Sequence, residues 1–176
     1  MRFLDRLLQL NFLITSSEGV HITNCKFSGN AAVGTGPYSG TGGAIAALSS
    51  SDVVVMQSTF VGNAARAGGA IDFLGSSFSV EGCRFGNNSA SELGGALQFS
   101  ADASGVVEAT VFADNSASWY GGAMLLGGAA VVAVGSSSAF EGNVARYGFG
   151  GAIAVGQSAL LTLSGSRVTK NWSYLS

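Results

Sequence analysis

Residues 85–97, FGNNSASELGGAL, contain two short motifs that recur along the chain and decide its fold. The first motif is Phe-x-x-Asn and the second is Gly-Gly-Ala followed by an apolar residue. The Phe-x-x-Asn copies are Phe27/Asn30, Phe60/Asn63, Phe85/Asn88, Phe112/Asn115 and Phe140/Asn143, with a weaker copy at Val168/Asn171. The Gly-Gly pairs begin at Gly42, Gly68, Gly94, Gly121 and Gly150. Because the two motifs alternate at one period of about 27 residues, the sequence predicts a repeat protein.

Each repeat also contains a short stretch in which apolar residues alternate, such as Val53/Val55 and Val132/Val134. Alternation over so few residues is typical of a half-buried strand. A unit of this length then holds three strands separated by bends and has no room for a helix. We therefore predict an all-β fold, a parallel β-solenoid of about five to six coils.

The recurring side chains suit a stack of coils. Equivalent residues of successive coils would lie about 4.8 Å apart, the spacing between paired strands. Phenylalanine rings can stack at that distance, and inward asparagine amides, Asn171 included, can form a hydrogen-bonded ladder. Glycine pairs permit a positive φ and close backbone approach at a corner. We therefore interpret the motif residues as structural ladders, not as catalytic groups.

The paired motifs, Phe-x-x-Asn and Gly-Gly-Ala-Ile/Leu, resemble the repeats of the chlamydial polymorphic outer membrane protein family over residues 10–171. This resemblance implies a right-handed parallel β-helix of the pectin lyase type. It also implies a passenger domain of an autotransporter, often an adhesin, at an extracellular or cell-surface location.

Composition excludes several classes of protein. Only 10 % of the 176 residues are charged, the net charge is −2, and the chain has 27 glycines and one proline. Such a balance argues against nucleic acid or an anionic membrane as a partner. The apolar stretch 121–135 is too short and too rich in glycine for a membrane-spanning helix, so we predict no direct membrane insertion.

The N-terminal residues 1–9 are treated separately from the repeat domain, which we place at residues 10–176. Phe3, Leu4, Leu7 and Leu8 have helical spacing, compatible with a short amphipathic capping helix. Asp5 interrupts the apolar segment that a signal peptide would need. Because the sequence shows no polar cap at its end, we expect the repeat domain to be a segment of a longer solenoid.

No pattern in the sequence predicts a catalytic, cofactor-binding or metal-binding site. Glu81 and Glu108 hold equivalent positions and should lie side by side, but no third acid joins them. His21, the one histidine, is expected on a solvent-facing strand position. Cys25 and Cys83 belong to coils two apart, too far for a disulfide, so we predict two buried free thiols.

Aromatic residues between the asparagine and the Gly-Gly pair are the candidates for binding. The long first segment contains Tyr38, and the later segments contain Trp119, Tyr120, Tyr147 and Phe149. Exposed aromatics can stack on sugars or anchor a protein. The sequence thus favours a non-enzymatic, adhesin-like scaffold that binds a glycan or protein at a cell surface. The alternative is a polysaccharide-active, pectin lyase-like enzyme or its degenerate relative.

Overall fold

The computed structural model describes residues 12–34 and 40–174 and shows a parallel β-helix of about five turns. Within these residues all regular structure is β-strand, arranged in four parallel sheets that run along the stack of coils. The predicted cap at residues 1–9 lies outside the described residues.

Five of the six strands of sheet 1 follow a Gly-Gly-Ala motif, sheet 2 contains the alternating apolar stretch, and sheet 3 contains the motif phenylalanines and Val168. Sheet 1 consists of Leu13–Thr15, Ile45–Leu48, Ile71–Leu74, Leu97–Ser100, Met124–Leu126 and Ile153–Val155. Sheet 2 consists of His21–Thr23, Val53–Met56, Ser77–Glu81, Ser104–Glu108, Val131–Val134 and Leu160–Leu163. Sheet 3 consists of Lys26–Ser28, Thr59–Val61, Arg84–Gly86, Val111–Ala113, Ala139–Glu141 and Arg167–Thr169.

A fourth sheet corrects the prediction of three strands per coil. Sheet 4 follows the motif asparagines and consists of Ala64–Ala67, Ser89–Leu93, Ser116–Ala117, Val144–Ala145 and Trp172–Ser173. The sequence gives little sign of these strands because they are built mainly from alanine and serine. Their small side chains lack the apolar alternation by which strands are recognised, whereas pairing between coils still orders their backbone.

The motif phenylalanines form one continuous stack inside sheet 3. From Phe27 to Phe140, successive ring centroids are 4.7–5.0 Å apart and successive ring planes differ by at most 7°. Phe60, Phe85, Phe112 and Phe140 are fully buried. The stack is thus a central part of the core.

The motif asparagines form a hydrogen-bonded ladder beside that stack. From Asn30 to Asn143, each Nδ2 donates to Oδ1 of the asparagine in the next coil at 2.9 Å. From Asn63 onwards, each Nδ2 also donates to the carbonyl of the motif phenylalanine in the preceding coil at 2.9–3.1 Å. The amide therefore links its own coil to both neighbouring coils and explains why asparagine and phenylalanine recur at a fixed distance.

The sixth copy of the motif, Val168/Asn171, is less buried than its predicted inward position implies. Asn171 does complete the ladder: its Oδ1 accepts from the backbone N–H and the Nδ2 of Asn143. Its Nδ2 donates to the carbonyls of Phe140 and Thr169. Asn171 is nevertheless only half-buried, and Val168 is 47 % exposed. The reason is that no further coil covers this one within the described residues, and the ladder contacts agree with the predicted inward position of Asn171.

The two cysteines differ in exposure, although both are free as predicted. Cys83 is buried, and its Sγ donates to the carbonyls of Val55 and Glu81. Cys25 is exposed, so the prediction that it is buried was wrong. It belongs to the first described coil, which has a described neighbour on one side only, at Ser58.

Candidate functional site

The outer face of sheet 1 contains a groove that crosses the last three described coils. Three side chains in register, Gln98, Leu125 and Ala154, lie along the row that forms its floor. They point outward because they alternate with residues such as Leu97 and Phe99, which are buried in the core. The groove has a volume of about 820 Å³, within the usual range for ligand sites.

One wall of the groove is formed by the residues that precede the Gly-Gly pairs. Leu93, Tyr120 and Phe149 are joined by parallel bridges between successive coils. The rings of Tyr120 and Phe149 are nearly parallel, with centroids 6.1 Å apart. Opposite this wall lie the bends that follow sheet 1, including Gly127 and Gln157. Both ends of each floor strand thus help to shape the groove.

The structure divides the predicted aromatic residues into two pairs. Tyr120 and Phe149 line the groove, whereas Trp119 and Tyr147 do not. Trp119 and Tyr147 instead contact each other, with ring centroids 6.1 Å apart and a tilt of 56°. Tyr38 lies outside the described residues. The sequence alone cannot separate the pairs, since neighbouring residues at a bend face different directions.

Two polar residues of the same outer face were not predicted. Asp72 and Gln98 are register partners on neighbouring strands, and Asp72 continues the row that forms the floor. Asp72 is 3 % exposed, and its Oδ1 has no hydrogen-bond partner. Gln98 Oε1 is also buried without a partner. Each directly follows a buried apolar residue, Ile71 or Leu97, where alternation along a strand predicts exposure, so the sequence carries no signal for this burial.

Burial raises the pKa of Asp72 to about 7, because the charged carboxylate is poorly solvated there. The Thr41 side chain donates a hydrogen bond to this carboxyl group and Arg66 lies close enough to attract it, and both effects lower the pKa. Arg66 also forms an ion pair with Glu92, at 2.8 Å between Nη1 and Oε2. Desolvation therefore outweighs the two stabilising contacts.

The raised pKa predicts that the protein loses stability as the pH rises from about 4 to about 7. Over this interval the folded protein retains a proton on Asp72 that the unfolded chain has released, so higher pH favours unfolding. At about 1.4 kcal/mol per pH unit, the loss of folding stability over this interval should reach on the order of 4 kcal/mol. The neighbours of the carboxyl group are Thr41, Arg66 and Gln98. Urea denaturation at several pH values measures this loss.

The matched variants for this prediction are Asp72→Asn and Asp102→Asn. Asp72→Asn should flatten the pH profile and be more stable than wild type at pH 8. Asp102 is exposed, so its substitution should leave the profile unchanged. A wild-type stability that does not fall across this pH range would contradict the prediction, as would a fall that Asp72→Asn leaves in place.

The remaining sequence candidates lie away from the groove. Glu81 and Glu108 are register partners in sheet 2, side by side as predicted. His21 is exposed and lies opposite Val54. Among the described residues, no cluster of three or more His, Cys, Asp or Glu side chains could hold a metal ion. In the same part of the chain, no helix is long and apolar enough to cross a membrane.

A match to a known family extends over almost the whole chain. A family model described as "Right handed beta helix region" matches residues 11–175. The chain belongs to this right-handed β-helix family. Comparison with curated proteins and with solved structures gives no match. Membership of the right-handed β-helix family agrees with the four parallel sheets.

Proposed function

We propose that the protein is a non-enzymatic β-helical binding module that holds a glycan or protein partner at a cell surface. The observation that carries this proposal is the groove on sheet 1. Its wall exposes 40 % of Tyr120 and 56 % of Phe149 to solvent. Large exposed aromatics beside a concave surface are typical of binding sites.

The scaffold supports binding because it holds the groove in a fixed shape. The backbone on either side of the wall is hydrogen-bonded from coil to coil, for example Gly94 N–H to Tyr120 C=O and Gly121 N–H to Phe149 C=O. A ligand therefore meets aromatic side chains that are already positioned, which lowers the entropy cost of association.

The chemistry of the lining favours binding over turnover. Cleavage of a glycosidic bond ordinarily requires two carboxyl groups that flank the scissile bond. No charged side chain is among the described residues that line the groove. Asp72 is a single carboxyl group that lies behind Gln98 in the floor row.

The location and the adhesin-like role rest on the resemblance to the chlamydial polymorphic outer membrane protein repeats. In that family such repeats form cell-surface passengers, and the same role suits a rigid module with an exposed groove. On this basis we propose an extracellular or cell-surface location for the chain.

The test compares two aromatic residues of equal exposure, Phe149 in the groove wall and Tyr147 outside it. The labelled protein is titrated onto immobilised glycans and onto cultured cells. Phe149→Ala should weaken saturable binding by roughly tenfold or more, the effect of losing an aromatic anchor, whereas Tyr147→Ala should change it by less than about twofold.

Two results would contradict the proposal. The first is equal binding by both variants, which would place the binding surface elsewhere. The second is release of reducing sugars or unsaturated products from pectin or alginate. If that activity were lost in Glu81→Gln or Glu108→Gln, the enzymatic alternative would replace the binding module.

A further inference from the structure

Two buried acceptor oxygens lie on neighbouring strands at one end of the groove floor. Asp72 and Gln98 are register partners in sheet 1, and within the described residues Asp72 Oδ1 and Gln98 Oε1 are buried without a hydrogen-bond partner. A buried acceptor without a donor is costly, and native proteins contain few of them. Two such oxygens on adjacent side chains therefore call for a common explanation.

A single proton on Asp72 satisfies both oxygens. Paired strands lie about 4.8 Å apart, so side chains at register positions on one face of a sheet are neighbours. A protonated carboxyl group has an O–H that can donate, and the amide oxygen of glutamine can accept it. Thr41 donates to the same carboxyl group, and because Oδ1 has no partner this bond falls on Oδ2 and leaves Oδ1 to hold the proton. The raised pKa of Asp72 agrees with a proton that is retained up to about pH 7.

The surroundings of Asp72 limit what can stabilise it once the proton is lost. On the strand away from Gln98 its register partner is Ala46, which has no polar side-chain atom. Arg66 attracts the carboxylate but is already paired with Glu92. Among the described residues that face this carboxylate, the amide nitrogen of Gln98 is therefore the donor that remains to be used.

The Gln98 amide can supply that donor by turning over. Rotation by a half-turn about its last side-chain bond exchanges the oxygen and the nitrogen, and both positions are ordinary rotamers. In the structure Oε1 is the buried atom without a partner, whereas Nε2 is not, so Nε2 is the polar atom that Gln98 can present to the groove it lines. After the turn, Nε2 donates to the carboxylate in a charge-assisted bond and Oε1 takes its place at the groove.

We propose that Asp72 and Gln98 form a proton-controlled switch in the groove floor, with the Gln98 N–H toward the groove when Asp72 is protonated and the Gln98 carbonyl oxygen toward it when Asp72 is ionised. This inference rests on the proposed binding function and adds its regulation. A partner that offers an acceptor to this part of the groove binds more tightly below neutral pH, and a partner that offers a donor binds more tightly above it.

The switch itself is tested on the full chain without any ligand. The carboxyl ¹³C resonance of Asp72 and the side-chain amide ¹H–¹⁵N resonances of Gln98 are followed by NMR from pH 5 to 9. Both should titrate with one common midpoint near pH 7. Gln98→Leu should raise the midpoint of Asp72 by roughly one pH unit, because the charge-assisted bond it removes from the carboxylate is stronger than the neutral bond it removes from the acid.

Two further variants assign the titration to this pair. Asp72→Asn should abolish the titration of the Gln98 amide. His21→Asn is the matched control, since histidine ordinarily titrates between pH 5 and 8 and His21 is exposed on sheet 2. Its removal should leave the common midpoint unchanged. Far-UV circular dichroism of each variant across the pH range shows that its fold is retained.

Two small aromatic probes then report what the groove presents. Acetophenone offers an acceptor and no donor, whereas the O–H of phenol donates, and both stay uncharged from pH 5 to 8.5. Their binding is measured from the NMR shifts of the Tyr120 and Phe149 rings, which line the groove. Acetophenone should bind roughly fivefold or more tightly at pH 5 than at pH 8.5, and phenol should show the opposite trend. Asp72→Asn should remove both trends.

Failure of the switch is distinguishable from failure of the proposed function. A Gln98 amide that does not titrate, or that still titrates in Asp72→Asn, would overturn the switch, as would probes that do not bind or whose affinities do not change with pH. None of these results affects glycan or cell binding that is lost in Phe149→Ala, so the binding module would stand. A Gln98 amide that titrates with Asp72, in a protein whose binding never depends on Phe149, would support the switch and contradict the proposed function.

Discussion

Replacing Asn115 by leucine is expected to destabilise the protein by about 2 to 6 kcal/mol, since four hydrogen bonds are lost at roughly 0.5–1.5 kcal/mol each. Asn115 Oδ1 accepts from the backbone N–H and the Nδ2 of Asn88. Its Nδ2 donates to the carbonyl of Phe85 and to Oδ1 of Asn143. Leucine matches the shape of asparagine but can make none of these bonds. The substitution therefore tests the ladder with little change of volume.

The buried N–H of Asn88 makes this loss more severe than the count suggests. That group donates to Asn115 Oδ1 and is completely buried, so water cannot replace the lost acceptor. Typical domains have a net stability of about 5–15 kcal/mol, so one ladder position can remove much of it. Urea denaturation followed by far-UV circular dichroism measures the change.

The same substitution at Asn30 is the matched control. Asn30 is the first ladder member and is only half-buried; its Nδ2 donates to Asn63 Oδ1. Its backbone N–H also donates to that oxygen and remains in Asn30→Leu, so no buried group loses its last partner. We expect a loss of about 1 kcal/mol, one ordinary hydrogen bond. Equal effects at Asn30 and Asn115 would show that the ladder does not carry this stability.

The ladders could be predicted from the sequence because stacking turns a sequence period into a spatial one. Once coils are about 4.8 Å apart, residues one period apart must meet, and Phe85 meets Phe112 whatever the details of the bends. Burial at the ends of the stack does not follow from the period, and Asn171 keeps its ladder bonds while half-exposed. The number of strands per coil could not be predicted, because Ser116–Ala117 is ordered by its neighbours rather than by its own composition.

The groove could be predicted only in part, because the sequence period does not show which way each side chain faces. The sequence identifies Tyr120 and Phe149 as candidates because they lie between the motif asparagine and the Gly-Gly pair, where exposed aromatic residues can bind a ligand. Their separation from Trp119 depends on which way consecutive side chains face, a property of the bend in three dimensions. The burial of Asp72 could not be predicted, because an aspartate in an alternating strand is ordinarily expected to face water.

The second large effect is expected at the corner formed by each Gly-Gly pair. In the third repeat, Gly94 has a positive φ of 60°, whereas Gly95 does not, so the two glycines are needed for different reasons. A Cβ at Gly95 would overlap the carbonyl oxygen of Gly122 in the next coil and lie 2.7 Å from the carbonyl carbon and oxygen of Ser116. Gly95 therefore allows one coil to lie directly on another.

Gly95→Ala should prevent these coils from stacking, because the atoms in the way belong to the backbone and cannot rotate aside. Overpacking against side chains usually costs about 1–3 kcal/mol, and here we expect a loss above about 3 kcal/mol. Gly86→Ala is the matched control, since Gly86 lacks a positive φ and a Cβ there would find its nearest atom at 3.9 Å. It should change stability by less than about 1 kcal/mol, in the stabilising direction, because alanine restricts the unfolded chain. Urea unfolding of both variants measures the difference, and a Gly95→Ala protein that unfolds cooperatively at the wild-type midpoint would show that the corner tolerates a side chain.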